Sequence, residues 1–282
     1  MGGEDKLREY EKKFAETSKM QAQHISGSGR VRVEGIGDIS ISGSGSVSPD
    51  EINISGTGRI QGGLRTKRVI CAGSVTVAGD VEAEEMRLSG STTVQGGINT
   101  EALEASGRLA IDGGLKGSSV EVAGSFEVGK NIELDNVLHV HGFLTVSEDV
   151  NVEKLVKLRG GFDVSGRVVT GNFEAGLGST RSYVKKGIEA VNVDIRKRAH
   201  RGLILFGFPV PSRIFREGRL YTTDIVAKEK VYLENTTCDN VHGKIVILGE
   251  GCEVSGKVRY SESVSTHPRA KLVNTPEKLD VE

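Results

Sequence analysis

The 282-residue sequence has no Trp, only five Pro and three Cys, and it has no excess of either charge, with 37 Lys and Arg against 38 Asp and Glu. Because no net positive field surrounds the chain, a general affinity for nucleic-acid phosphates is not expected. Three widely separated cysteines predict neither a disulfide framework nor a zinc site. An apolar content of 37% combined with near-zero net charge also argues against disorder throughout the chain.

Signals for export and for membrane insertion are also missing. The first residues, MGGEDKLREYEKKF, are charged where a signal peptide would be apolar. The longest apolar run, residues 203–210, is well short of the about 20 residues that a membrane-spanning helix needs. We therefore expect a cytoplasmic protein, and membrane association is not indicated.

Glycine, in contrast, is abundant, with 38 residues, and it recurs at regular intervals. A Gly that follows a small or polar residue stands at Gly27, Gly43, Gly56, Gly73, Gly90, Gly107, Gly124, Gly142 and Gly160. The interval from Gly43 to Gly56 is short, and all the others are nearly equal. A nearly fixed period of about 17 residues is typical of repeat architectures.

Apolar residues keep a constant position relative to these glycines. From Ile52 to Val168, the positions four and two residues before each Gly, and four and eight after it, are apolar in seven successive repeats. A spacing of two is the period of a β-strand. Because one such coil cannot bury its own apolar side, coils must stack and enclose a core. The sequence thus predicts an all-β fold, a single-stranded parallel β-helix (β-solenoid) with coils of about 17 residues.

The same columns divide the chain into segments. Residues 25–170 form the predicted rod, and residues 1–24 predict a short N-terminal helix that caps it, since an open end is an unpaired sheet edge. Residues 171–223 are interpreted as an irregular insertion with strands. Residues 224–260 regain the repeat pattern and predict a smaller, β-rich C-terminal region. Residues 261–282 are interpreted as a polar tail.

No constellation of side chains predicts catalysis. His139 and His141 flank the inward Val140, so both point outward, and without a further ligand they do not predict a metal site. Cys71 stands in an inward column and is interpreted as a core residue. The regular coils between residues 56 and 160 leave no inserted loop to form a cleft. We predict no enzyme activity, no catalytic or cofactor-binding residue, no metal and no cofactor.

The succession ISGSGRV, INISGTGRIQGGL, VICAGSVTVAGDVEAEEM, RLSGSTTVQGGI and LEASGRLAIDGGLKGSS resembles the bactofilins, which are polymer-forming cytoskeletal proteins. It is most similar to the longer members in some Gram-positive bacteria and archaea, and VYLENTTCDNVHGKIVILGEGCEVSGKVRY resembles their closing segment. The resemblance implies a right-handed β-helix that stacks end to end into nonpolar filaments without nucleotide. It also implies a scaffold whose main partner is another copy of itself.

On this interpretation the two rod ends form the polymer contact. The predicted interface residues are Phe162, Val164 and Val168 on the final regular coil and Ile25, Val31 and Val33 on the first. Phe126, Phe143 and Phe162 predict an aromatic stack in the late coils. Two alternatives stay open: a non-polymerising β-helical adaptor whose residues 171–220 bind a protein partner, and a transferase of the left-handed β-helix type with its site in residues 171–260.

Overall fold

The computed structural model describes residues 23–33, 37–198, 204–205, 208–209 and 217–279, all of which are strand, turn or irregular backbone. The first strands are β1 (Gln23–Val33), β2 (Gly37–Val47), β3 (Glu51–Gln61), β4 (Leu64–Val77), β5 (Val81–Val94), β6 (Ile98–Ile111), β7 (Leu115–Val128), β8 (Ile132–Val146), β9 (Val150–Val164), β10 (Val168–Leu177) and β11 (Arg181–Val184). They are followed by β12 (Ile188–Lys197), β13 (Ile204–Leu205), β14 (Phe208–Pro209), β15 (Arg219–Thr222), β16 (Asp224–Leu233), β17 (Thr236–Cys238), β18 (Asn240–Leu248), β19 (Glu253–Val254), β20 (Val258–Thr266), β21 (Lys271–Leu272) and β22 (Glu277–Lys278).

The predicted parallel β-solenoid is confirmed from β3 onward. Each strand from β3 to β9 pairs in parallel with the next, so that every coil lies directly on the one before it. The apolar columns point inward and form one continuous buried core. The repeated Gly turns the corner of the coil: Gly107 has a φ of +113°, and a Cβ added there would collide with the carbonyl oxygen of Gly90.

The rod begins differently from the expectation, because its first three strands are antiparallel. β1 pairs with β2, and β2 with β3, in opposite directions, with Gly27 opposite Gly43 and Gly43 opposite Gly56. The first two intervals of the glycine series are therefore chain reversals rather than coils. A reversal needs only a short turn, whereas a full coil needs about 17 residues.

The rod also does not end at residue 170. β10 stacks in parallel on β9, and β12 stacks on β10, so that residues 171–197 continue the coils. The same stack proceeds through β16, β18 and β20, and the segment predicted as a polar tail adds β21 and β22 to the last coils.

Two expectations fall outside the described part of the chain. The predicted N-terminal helix lies there except for residues 23 and 24, which belong to β1. Between residues 198 and 217, only β13 and β14 are described; they pair with each other, apart from the main sheet. Among the described residues, no helix is long and apolar enough to cross a membrane.

Candidate polymer interface

The residues predicted to lie on the final coil are inside the rod. Phe162, Val164 and Val168 are at most 1% exposed. Val164 lies between Val146 of β8 and Val184 of β11, and the Phe162 backbone N–H donates a hydrogen bond to Ser182 Oγ at 3.3 Å. Because later coils cover these residues, they do not form an end of the described rod.

The predicted aromatic stack has a different composition. Phe126 and Phe162 share one inward column, but Leu144 lies between them. Phe143 points outward and is 41% exposed, whereas Phe162 meets Phe173 edge to face with ring centroids 6.2 Å apart. One extra residue in the coil that contains Phe143 shifts it out of the inward column.

The predicted residues of the first coil do lie at an end. Ile25 is half-buried and packs against the core, and Val31 is buried, while the Val33 side chain is outside the described residues. In the described part of the chain, β1 pairs with β2 alone, so its other edge carries backbone groups without a strand partner. An open edge of this kind is a template for pairing with another chain.

The strands at this end share one motif, an Ile followed four residues later by Gly. It occurs as Ile25 with Gly29, Ile41 with Gly45 and Ile54 with Gly58. A Cβ added at Gly29 would lie 3.1 Å from Ile25 Cγ2, so each Ile occupies the space that its Gly leaves free. In the antiparallel pairs, the Ile of one strand stands opposite the Gly of the other, as Ile25 does with Gly45. The motif is therefore complementary to itself.

The last strands at the opposite end, β21 and β22, have features that disfavour such pairing. β21 and β22 contain two residues each, and Pro268 and Pro276 interrupt the chain beside them. Both short strands include an exposed Lys, at Lys271 and Lys278. Short strands, Pro and Lys are the features that keep sheet edges from associating. These features cover only part of this end, because β20 pairs with β22 at Arg259 and Tyr260 alone among the described residues.

Two basic residues at the end of β12, Arg196 and Lys197, form ion pairs within the chain. Arg196 Nε donates to Asp194 Oδ1 at 2.7 Å, and the guanidinium lies 4.7 Å from the ring centroid of Tyr232. Lys197 Nζ donates to Glu250, and this hydrogen bond lowers the pKa of the Glu250 carboxyl. Both cations are thus balanced by neighbouring carboxylates.

Cys71, His139 and His141 lie on the sides of the coil that the apolar columns predict. Cys71 is buried in the core, and desolvation raises the pKa of its thiol to about 12. His139 and His141 point outward, and His139 Nδ1 is 3.9 Å from Glu121 Oε1. Buried thiols with raised pKa values are poor nucleophiles.

Comparison with known proteins gives one family and one relative. The chain is 27% identical over 107 residues to the uncharacterized protein YhbF of Bacillus subtilis (strain 168), a match that covers 38% of this chain. The match spans 40% of the length of that relative. No solved structure matches the chain significantly. Residues 19–116, which include the antiparallel start and the first parallel coils, match the bactofilin family, described as polymer-forming cytoskeletal.

Proposed function

We propose that this protein is a polymer-forming cytoskeletal scaffold that associates through β1 and needs no nucleotide. The observation that carries the proposal is the self-complementary edge of β1, which has no strand partner on its outer side among the described residues. The family match over residues 19–116 supports the polymer-forming class.

The geometry of the contact follows from the pairs already present. If two β1 strands pair in antiparallel fashion about Gly27, Ile25 of each copy stands opposite Gly29 of the other. This repeats the arrangement of Ile25 with Gly45 in the β1–β2 pair. The contact consists of backbone hydrogen bonds and apolar side chains, so it requires no cofactor.

The test replaces Ile25 with Lys in the full chain. A charge that points toward the core at the edge should prevent pairing, so we expect filaments of the natural protein in negative-stain electron microscopy without nucleotide, and none of the variant. Val169→Lys is the matched control, because Val169 is 37% exposed and faces outward in mid-rod. Filaments of Ile25→Lys equal to those of the control would contradict the proposal.

A non-polymerising adaptor is the second candidate. β13 and β14 pair only with each other, apart from the sheet of the rod, and they lie in the apolar run of residues 203–210. The apolar run itself would supply the contact for a protein partner. Discrete particles of the natural chain at both low and moderate salt would favour this function over the scaffold.

A further inference from the structure

A row of charged side chains runs along one outer face of the rod. We call it the charge row: Arg87, Glu104, Glu121, His139, Lys157 and Glu174, one from each strand from β5 to β10. Each residue stands next to the following one in the parallel register, so the spacing is the strand spacing of about 4.8 Å. All six are exposed or half-buried.

Within one rod the row is only partly neutralised. Glu104 and Glu121 are direct neighbours on adjacent strands, and two carboxylates in that position repel each other. Arg87 pairs with Glu85 Oε1 at 2.7 Å and Lys157 Nζ with Glu174 Oε2 at 2.6 Å, but no basic group of the described residues lies within ion-pair distance of Glu104. The centre of the row thus carries adjacent like charges that a partner of opposite pattern would balance.

A second copy of this chain has that pattern. From Arg87 to Glu174 the row reads basic, acidic, acidic, His, basic, acidic, so that in the reversed order each acidic residue stands opposite a basic residue or His139. We infer that two rods pair side by side in antiparallel orientation, about a two-fold axis between β7 and β8. Arg87 then faces Glu174 of the other copy, Glu104 faces Lys157, and Glu121 faces His139. Because strand spacing is the same in both rods, these three pairs align together, whereas the next residue in the register, Asp194, faces Ile70 of the other copy.

The row of residues two positions after the charge row on each strand is compatible with the antiparallel pair of rods. Beside the charge row, the face carries the small residues Ser89, Ser106 and Ala123, which border a shallow groove of about 500 Å³. In the antiparallel pair Ser106 faces Arg159 and Ala123 faces His141, so no like charges meet there. A parallel pair about an axis along the rods would instead place Lys157 opposite Arg159 and leave Glu104 opposite a Ser. Charge complementarity therefore selects the antiparallel orientation.

The contact should be weak between single rods and stronger in a polymer. Its outermost rows are about 25 Å apart along the rod, so it buries less than the roughly 800 Å² per partner of a stable interface. Exposed ion pairs weaken further as salt screens them. Rods joined end to end repeat the contact along their length, and repeated weak contacts add up through effective concentration.

The test is cross-linking by a short bis-maleimide in the full chain with Ser106→Cys and Arg159→Cys combined, because facing sheets lie about 10 Å apart, beyond the reach of a direct disulfide. In one chain these positions are three layers apart, about 14 Å, and a link within one chain would not give a dimer band, so the dimer band reports a contact between copies. We expect covalent dimers on a non-reducing gel at low salt. Ser106→Cys alone should give about tenfold less dimer, since in the antiparallel pair no position faces itself. Equal trapping by the single variant would overturn the inference.

Charge reversal in the same double-Cys background gives a second readout. Glu104→Lys and Lys157→Glu should each lower trapping severalfold, and the two together should restore it, because the opposed signs return. A combined variant as poorly trapped as the single reversals would overturn the inference. Repeating the trapping with Ile25→Lys present separates the two contacts: lateral dimers should persist when pairing through β1 is lost.

Discussion

At the scale of single residues, Phe162 and Phe143 offer a matched comparison between the core and the surface. Phe162 is fully buried and Phe143 is 41% exposed. We expect Phe162→Ala to lower the free energy of unfolding by about 3–5 kcal/mol, because it leaves a cavity in the continuous core. Phe143→Ala should cost less than about 1 kcal/mol. Chemical unfolding of both variants measures the difference, and equal losses would contradict the assigned side-chain directions.

The buried thiols make stability depend on alkaline pH. Desolvation raises the pKa of Cys71 from 9.0 to about 12, so between those values the thiol is protonated in the folded chain and ionised in the unfolded chain. The unfolded state then binds fewer protons, and stability falls as pH rises above 9.0. Cys71→Ala removes this loss, so the stability gap between the natural chain and the variant should narrow with rising pH. A constant gap in denaturant titrations would argue against the shift.

At the scale of elements, the sequence predicts which residues form the coils better than it predicts whether neighbouring strands run parallel or antiparallel. The columns from Ile52 to Val168 identify which side chains enter the core, since alternation distinguishes inside from outside. Alternation is the same in parallel and antiparallel strands, so it does not reveal that β1, β2 and β3 reverse direction. Only the interval from Gly43 to Gly56, which is too short for a coil, carries that information.

The missed continuation beyond residue 170 has a separate cause. In the register, the corner position of Gly160 is taken by Leu177 in β10 and by Lys197 in β12. Without the Gly, the strands on two faces separate into β10 and β11, and the repeat signal disappears although stacking continues. The sequence also does not predict the charge row. Its residues are far apart in the chain and become neighbours only in the register of the stacked strands.

A chain that ends at residue 170 therefore tests where the rod ends. Removing β10 beyond Thr170 together with β11 uncovers the inward side chains of β9, including Phe162 and Val164. We expect this truncated chain to aggregate, whereas a chain ending at Leu279 should behave like the full chain. Light scattering after size-exclusion chromatography measures both. A monodisperse chain ending at residue 170 would show that the later coils are dispensable for the rod.

At the scale of the whole molecule, the two proposed contacts combine into a polymer. Fourteen layers stack along one face, namely β1 to β10 followed by β12, β16, β18 and β20, and at about 4.8 Å each they give a rod of roughly 65 Å. The lateral two-fold axis between β7 and β8 lies at the midpoint of this stack. The ends of two antiparallel partners are therefore level with each other. Each end of the pair carries the β1 strand of one partner.

When two β1 edges pair, each rod has used its only β1 edge. Such an isologous contact therefore joins two rods and cannot add a third. Lateral pairing lets the chain of contacts continue, because the partner rod offers its own β1 at the other end. The expected filament is two rods wide with an axial repeat of about 130 Å, twice the rod length. Glu104→Lys should reduce it to discrete rods of double length, and Ile25→Lys to rods of single length, alone or transiently paired, and electron micrographs distinguish the two lengths. An axial repeat of only one rod length would instead mean that all rods point the same way, which pairing of two β1 strands does not allow.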